Sequence, residues 1–235
     1  MKIDCLVLGS FETNCYILRE SELVLAKAQA GVRSAGDCLI IDTGLEADEL
    51  VDFLREHKLN PVAGVLTHGH IDHISGLAQL RKNFPGVKVY IHKRDANMLT
   101  DRQNNLSFLA GITPAASDCL KADFTLEEGS VVEQAGIRLE VLHTPGHTPG
   151  GICLYSRKEQ IVFVGDTLFA DSIGRTDMPG GSTAQLIKSI KEKLLTLPDE
   201  TIVYPGHGPQ TTIGRERKYN PYLSGYGSAL RRDEQ

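Results

Sequence analysis

Short β-branched apolar runs closed off by Gly, Pro, Asn or Asp recur along the whole chain: CLVL, NCYIL, CLIIDTG, VAGVLTH, VKVYIH, IRLEVLHTPGH, ICLYS, IVFVGD and TIVYPGHG. Runs of that length and composition read as strands. Between several of them the period changes to that of an amphipathic helix, over Glu46 to His57, His73 to Phe84 and Thr183 to Leu197, the last with Leu186, Ile190, Leu194 and Leu197 on one face. The alternation predicts an α/β fold. Hairpin-like neighbours at Val131 to Leu142 and Ile152 to Val164 argue against an all-parallel doubly wound sheet and for two mixed sheets with helices outside. No Pro/Ser-rich linker interrupts the 235 residues, so one domain over 1–235 is expected. Two stretches break the rhythm. Glu20 to Asp37 is longer than a hairpin turn and reads as two strands joined by a flexible tip at Ala30 to Gly36, and Thr100 to Leu120 is a polar-to-small loop of the length used for lids.

Composition removes several functional classes. The net charge is −5 and Lys and Arg are spread rather than clustered, which leaves no basic footprint for nucleic acid. Aromatic residues make up 6% of the chain and Trp is absent, so no base-stacking platform is expected either. The 5 cysteines (Cys5, Cys15, Cys38, Cys119 and Cys153) are scattered without a C-x-x-C pair, which fits neither a disulfide framework nor a thiolate zinc knuckle. A reducing, cytoplasmic location is the expectation, since the N-terminus lacks the apolar run of a signal peptide and no later stretch approaches a membrane span.

The chemistry concentrates in VLTHGHIDHISG, where His68, His70, Asp72 and His73 fall within six positions of a chain that has 8 His in all. VLTHGHIDH, VLHTPGH, VFVGDT and VYPGHG each run from an apolar strand into a turn that presents His or Asp just past the strand end. His68 and His70, two apart in extended backbone, point to one side. Gly and Pro in the other turns permit the sharp bends that would bring His147, Asp166 and His207 to the same point. Five imidazoles and two carboxylates are too many for one zinc and lack the Cys of most closed structural sites. They suit two adjacent Zn, Fe or Mn ions sharing a carboxylate, an arrangement that generates hydroxide near neutral pH. His57, His92 and His143 are isolated at strand or helix ends and read as surface or satisfied core. Asp42 of IIDTG, with Thr67, is expected to support ligand histidines from behind, although an Asx turn accounts for Asp42 nearly as well.

These residues resemble the signature T-H-x-H-x-D-H of the metallo-β-lactamase fold hydrolases, matched as THGHIDH and followed in order by the His of HTPGHTPGG, the Asp of GDTLF and the His of YPGHG. The likeness runs from TNCYIL to NPYL, nearly the whole chain. It implies an αββα sandwich with metals at one rim of the two sheets. By the same resemblance one metal takes His68, His70 and His147, the other takes Asp72, His73 and His207, and Asp166 bridges them. GDTLFADSIGRTDMPGG is similar to glyoxalase II, the hydroxyacylglutathione hydrolases, and their shorter bacterial relatives. Glyoxalase II proper adds a C-terminal helical domain that contacts glutathione, whereas only Gly208 to Gln235 follow the last histidine here, so the thiol carrier is left open.

The expected function is therefore metal-dependent hydrolysis of a small acyl thioester, with no catalytic side chain separate from the metal-bound hydroxide. Zinc is the first expectation, with iron or manganese as alternatives. Arg175, Lys218 and Tyr222 are candidates for substrate contact, with solvated surface the stronger reading of Lys218 and Tyr222. Neither nucleic acid nor membrane is an expected partner. The first alternative is a persulfide dioxygenase, which GRTD of Gly174 to Asp177 also resembles and which implies a single iron on His68, His147 and Asp166 with open positions for oxygen. The second, from another class, is a non-catalytic metal-binding module whose rim is closed by the Thr100 to Leu120 loop.

Overall fold

Strand β2 (Thr13–Arg19) is buried over six consecutive residues, which is what a strand covered on both faces requires. Tyr16 and Leu18 point to one side and Cys15 and Ile17 to the other, as the two-residue period of a strand dictates. The computed structural model describes residues 1–21, 36–111 and 120–223. The tip expected at Ala30 to Gly36 lies outside the described residues up to position 35, as do positions 112–119 of the long loop, Cys119 among them.

The first sheet runs in spatial order β1 (Lys2–Leu8), β2, β3 (Asp37–Ile41), β4 (Asn60–Val65), β5 (Lys88–His92) and β6 (Phe124–Leu126). β2 pairs antiparallel with both β1 and β3, and β3 to β6 pair parallel. The second sheet contains β7 (Val131–Gln134), β8 (Ile137–His143), β9 (Ile152–Ser156), β10 (Ile161–Gly165), β13 (Ile202–Pro205) and β14 (Thr211–Thr212), in the order β14-β13-β10-β9-β8-β7. Only β10 and β13 pair parallel in it. A two-stranded ribbon, β11 (Leu168–Phe169) and β12 (Ser172–Ile173), follows β10.

Between the sheets Leu39, Ile41 and Val65 meet Val141, Leu154 and Phe163. Cys38 and Ile40 face instead toward Leu50 and Leu54 of α1 (Asp48–Glu56), and Val162 and Val164 face Leu186 and Ile190. Each layer is thus covered by helix on its outer side, giving the mixed αββα sandwich that the sequence predicts.

Two helices depart from expectation. The pattern at His73 to Phe84 is realised as α2 (Ile71–Ile74) and α3 (Leu77–Asn83). The break has a cause: the Gly76 amide donates to Gly44 O at 2.9 Å rather than along the helix, and a Cβ on Gly76 would lie 2.8 Å from that of Ala47. The helix predicted over Thr183 to Leu197 is α4 (Thr183–Ser189), which then widens to a π-helix over Ile190–Leu194, with Leu195 N–H bonding back to Ile190 O at 2.9 Å. Among the described residues the last helix is α5 (Ile213–Tyr219), and a 3₁₀ turn spans Ala96–Leu99.

Candidate metal centre

All four turns that carry the predicted donors leave strands at the same end of the sandwich. β4 ends at Val65 and delivers the His68 to His73 segment, β8 ends before His147, β10 runs directly into Asp166, and β13 ends two residues before His207. Gly165, at φ +48, and Gly206 allow the second sheet to turn inward here, with the Gly206 amide bonded to Gly165 O at 2.8 Å.

Three of the histidines, His68, His73 and His147, are aimed by their outer nitrogens. Asp42 sits at φ +54 just past β3 and is almost fully buried. Its carboxylate accepts the Thr67 amide at 2.8 Å, the Thr67 hydroxyl at 2.7 Å and the Nδ1–H of His73 at 2.8 Å. With its own proton committed to Asp42, the Thr67 oxygen accepts from His68 Nδ1 at 3.1 Å. His147 Nδ1 donates to the carbonyl of Arg175 at 2.7 Å. In each case the free Nε2 lone pair is turned inward, as an outer acceptor should do for a ligand histidine.

Inside, the donors crowd one another. His147 Nε2 lies 2.9 Å from His70 Nδ1 and 3.2 Å from His68 Nε2. His73 Nε2 lies 3.3 Å from His207 Nε2, 3.4 Å from Asp166 Oδ1 and 3.5 Å from Asp72 Oδ2. Asp166 Oδ2 lies 3.5 Å from His147 Nε2 and 3.6 Å from His207 Nε2, so this carboxylate stands between the two groups of histidines. Among the described residues three sets place their donor atoms within 4.8 Å of one another: His68, His70 and His147; His68, His73 and Asp166; Asp72, His73 and His207.

Electrostatics separate the groups. Burial, then the neighbouring imidazoles, push His68 well below its ordinary value, and burial with His147 brings His70 down to about 3. Burial acts the same way on His73, but Asp72, Asp42 and Asp166 overcome it and hold this imidazole well above its ordinary value; His207 is raised by Asp72 and Asp166. Burial works against the charged forms of Asp72 and Asp166, yet the histidines keep both below the usual carboxylate range. Neutral imidazoles and ionised carboxylates are the ligand-competent forms, so His68, His70 and both carboxylates are ready to bind, whereas a cation would displace a proton from His73 and His207. The fit to a cation rests on two further observations. Asp166 Oδ1 is buried without a hydrogen-bond partner, and with the Nδ1 protons of His68 and His147 committed outward, their Nε2 lone pairs, 3.2 Å apart, repel unless a positive charge lies between them. Tetrahedral ligands at about 2.0–2.1 Å from zinc stand about 3.3 Å apart, close to these separations.

The cluster forms the floor of a cavity of about 640 Å³ whose walls are largely apolar, with Phe11, Leu106, Leu109, Phe169 and Met178 among them. Among the described residues the rim is open, the side chains of His207 and Asp72 being 28% and 15% exposed. The near arm of the Thr100 to Leu120 loop supplies Leu106 and Leu109 as wall and is tied to the ligand segment by Ile71 N–H donating to Asn105 O at 2.9 Å. A second cleft of about 470 Å³, beside Met1 and Glu159, has none of the clustered donors in its lining.

The structure thus brings together all seven predicted donors and sets Asp42 and Thr67 behind them. Arg175 reaches the cavity wall, but its guanidinium is paired with Asp177 at 2.8 Å, and its backbone carbonyl is what touches His147. Lys218 and Tyr222 are not brought to the cavity: Lys218 lies over the Tyr219 ring at 4.8 Å and Tyr222 is exposed away from the lining. His92 and His143 stack on each other instead of joining the cluster, with ring centroids 4.1 Å apart. Sequence reasoning missed Phe11, which the β1–β2 turn carries to the cavity, and Asp95, a buried carboxylate just after β5. A single Asp in KRDANML carries no local signal of either role.

Comparison with known proteins places this geometry. The model of the Metallo-beta-lactamase superfamily matches residues 32–207. The chain is 35% identical over 224 residues to the hydroxyacylglutathione hydrolase GloC of Haemophilus influenzae, covering 95% of this chain and 99% of that protein. Among solved structures it is similar to BLEG-1 B3 metallo-beta-lactamase, at TM-score 0.83 and 38% identity over 95% of this chain and 100% of the other. It is also similar to TTHA1623 in a di-iron-bound form, at TM-score 0.76 and 34% identity over 94% and 100%. With the motif order, the sandwich and the donor cluster in agreement over most of its length, the chain belongs to the Metallo-beta-lactamase superfamily.

Proposed function

We propose that the protein is a metal-dependent hydrolase that cleaves a small acyl thioester. The observation that carries the reading is the convergence of seven nitrogen and oxygen donors, from four strand ends, on the floor of one open apolar cavity. His68, His70 and His147 would hold one divalent ion, Asp72, His73 and His207 a second, and Asp166 would reach both. Two such ions supply a hydroxide nucleophile at neutral pH and polarise the substrate carbonyl. The residues around them do the rest. Asp42 and Thr67 fix the tautomers of His73 and His68, Arg175 O fixes that of His147, and the apolar walls offer a surface for the substrate's apolar part.

Thioester rather than amide chemistry is supported by the GloC relative. Among the described residues no cysteine lines the cavity, which disfavours a covalent route through Cys5, Cys15, Cys38 or Cys153. Cys15, Cys38 and Cys153 are buried, and burial drives the Cys38 and Cys153 thiols up to about 12. Zinc is the expected metal, and the di-iron form of TTHA1623 makes iron the alternative that metal analysis distinguishes.

The test is elemental analysis of the purified protein joined to a panel of acyl thioesters, including hydroxyacyl glutathione. About two metals per chain are expected, with hydrolysis abolished by chelation and reduced about a thousandfold or more by His68→Ala. A metal-replete protein that cleaves no member of the panel would sink the substrate class. One iron per chain with oxygen uptake on glutathione persulfide would replace hydrolysis with oxygenation.

A further inference from the structure

The carboxylate of Asp95 is fully buried and belongs to none of the donor sets. Its two oxygens accept three hydrogen bonds from two different loops. Oδ2 takes the Gly69 amide at 3.1 Å and the Thr148 hydroxyl at 2.7 Å, and Oδ1 takes the Gly150 amide at 2.6 Å. Gly69 lies between His68 and His70, whereas Thr148 and Gly150 directly follow His147. One side chain therefore joins the ligand segment of the first sheet to the β8–β9 turn of the second. The seat is close-fitting: a Cβ on Gly150 would come within 2.6 Å of Asp95 Cγ, and one on Gly69 would come within 3.0 Å of Met98 Sδ. Asp95 is itself held by its amide bonding to His92 O at 3.0 Å and by Met98 N–H donating to its carbonyl at 2.9 Å.

The other half of the cluster is anchored by different contacts. His73 leans on Asp42, and His207 is carried by a turn in which Asn14 N–H donates to Gly206 O at 2.7 Å. Asp42 also reaches His68 through Thr67, whereas all three side-chain bonds of Asp95 go to the loops that carry His68, His70 and His147.

We propose that Asp95 is a positioning residue that sets the separation between His147 and the His68–His70 pair, and so controls metal affinity at the three-histidine position alone. The proposal rests on the two-metal reading given above. A charged acceptor facing three donors is worth more than its neutral amide, which turns an N–H toward one of them. Outer partners of metal ligands typically govern affinity by about 10 to 100-fold.

The experiment is titration of the metal-free full chain with Zn²⁺ against a chromophoric chelator, in wild type, Asp95→Asn and Thr148→Val, alongside urea unfolding of each. Thr148→Val deletes one of the three bonds at nearly constant volume and carries the test if Asp95→Asn does not fold. The expected result is that wild type takes two equivalents, while in each variant one equivalent keeps its affinity and the other weakens, by about tenfold or more in Asp95→Asn. In a His207→Ala background the remaining equivalent should weaken on adding Asp95→Asn; in a His147→Ala background it should not. Equal weakening of both equivalents, tracking lost stability, would reduce Asp95 to a packing residue and overturn the proposal, as would unchanged affinity at both. A wild type that binds fewer than two equivalents removes the two-metal reading and this proposal with it, and so separates that failure from failure of the Asp95 assignment.

Discussion

His92 shows how burial can convert a titratable side chain into a pH-dependent stability element. It is 2% exposed, its ring stacks on His143 at 4.1 Å and 11°, and its Nδ1 accepts the Arg94 amide at 3.2 Å. Burial first, and His143 second, bring its pKa from 6.5 down to about 4. The unfolded chain therefore binds this proton before the folded one does, so the contribution is complete above pH 6.5 and is lost as pH falls toward 4. The full shift corresponds to about 3 kcal/mol as an upper bound. Replacing His92 by Gln should flatten that part of the stability curve, measured as the difference between wild-type and variant urea midpoints at pH 7 and pH 5 on metal-free protein. A wild type and variant with parallel midpoints would show that His92 does not titrate in this way. At this scale much was legible in sequence, because strand-end position and spacing distinguish His68, His70 and His73 from lone histidines such as His92 and His143. Asp95 and Phe11 were not, since each depends on what another segment places opposite.

Among the elements, the turns after the strands carry the chemistry, and Gly206 is the tightest test of them. A Cβ there would lie 2.8 Å from His73 Cε1 and would press on Asp166 Oδ1, while its neighbour Gly165 already uses positive φ to make the same bend. Gly206→Ala should therefore separate the second-sheet donors from the first, lowering metal affinity by about tenfold or more while the circular dichroism spectrum stays native. Gly86→Ala, whose Cβ would meet nothing within 4 Å, serves as the control and should bind metal like wild type. Native affinity in Gly206→Ala would show that the turn gives way freely. The long strands were legible from their apolar runs, and so was the period of α1. The division of the 73–84 pattern into α2 and α3 was not, because a bond from Gly76 to Gly44, remote in sequence, interrupts it. Strands as short as β11, β12 and β14 offer two residues each, too few for any period to show.

Across the whole molecule, the centre staples the two sheets together. His68, His70, Asp72 and His73 come from the first sheet's rim, and His147, Asp166 and His207 from the second's. An ion bound only by the folded chain stabilises it by about 4 kcal/mol at a thousand times its dissociation constant. Chelation should therefore lower the melting temperature, and added metal should restore it. His147→Ala should show a smaller response to both treatments. A wild-type melting temperature indifferent to metal would mean that no ion binds selectively to the native state.

The order of strands and donors, the mixed two-sheet architecture and the direction in which His68 and His70 point are written in local periodicity and spacing, which the chain obeys wherever it folds. What only the tertiary structure decided is how closely those loops approach and what else joins them: His70 at 2.9 Å from His147 across 77 positions, His73 at 3.3 Å from His207 across 134, and Asp95 bonded to both ligand loops at once. The reason is physical. Local patterns state which face of a strand is buried, whereas the distance between two loops is set by sheet order, register and the packing of one sheet on the other.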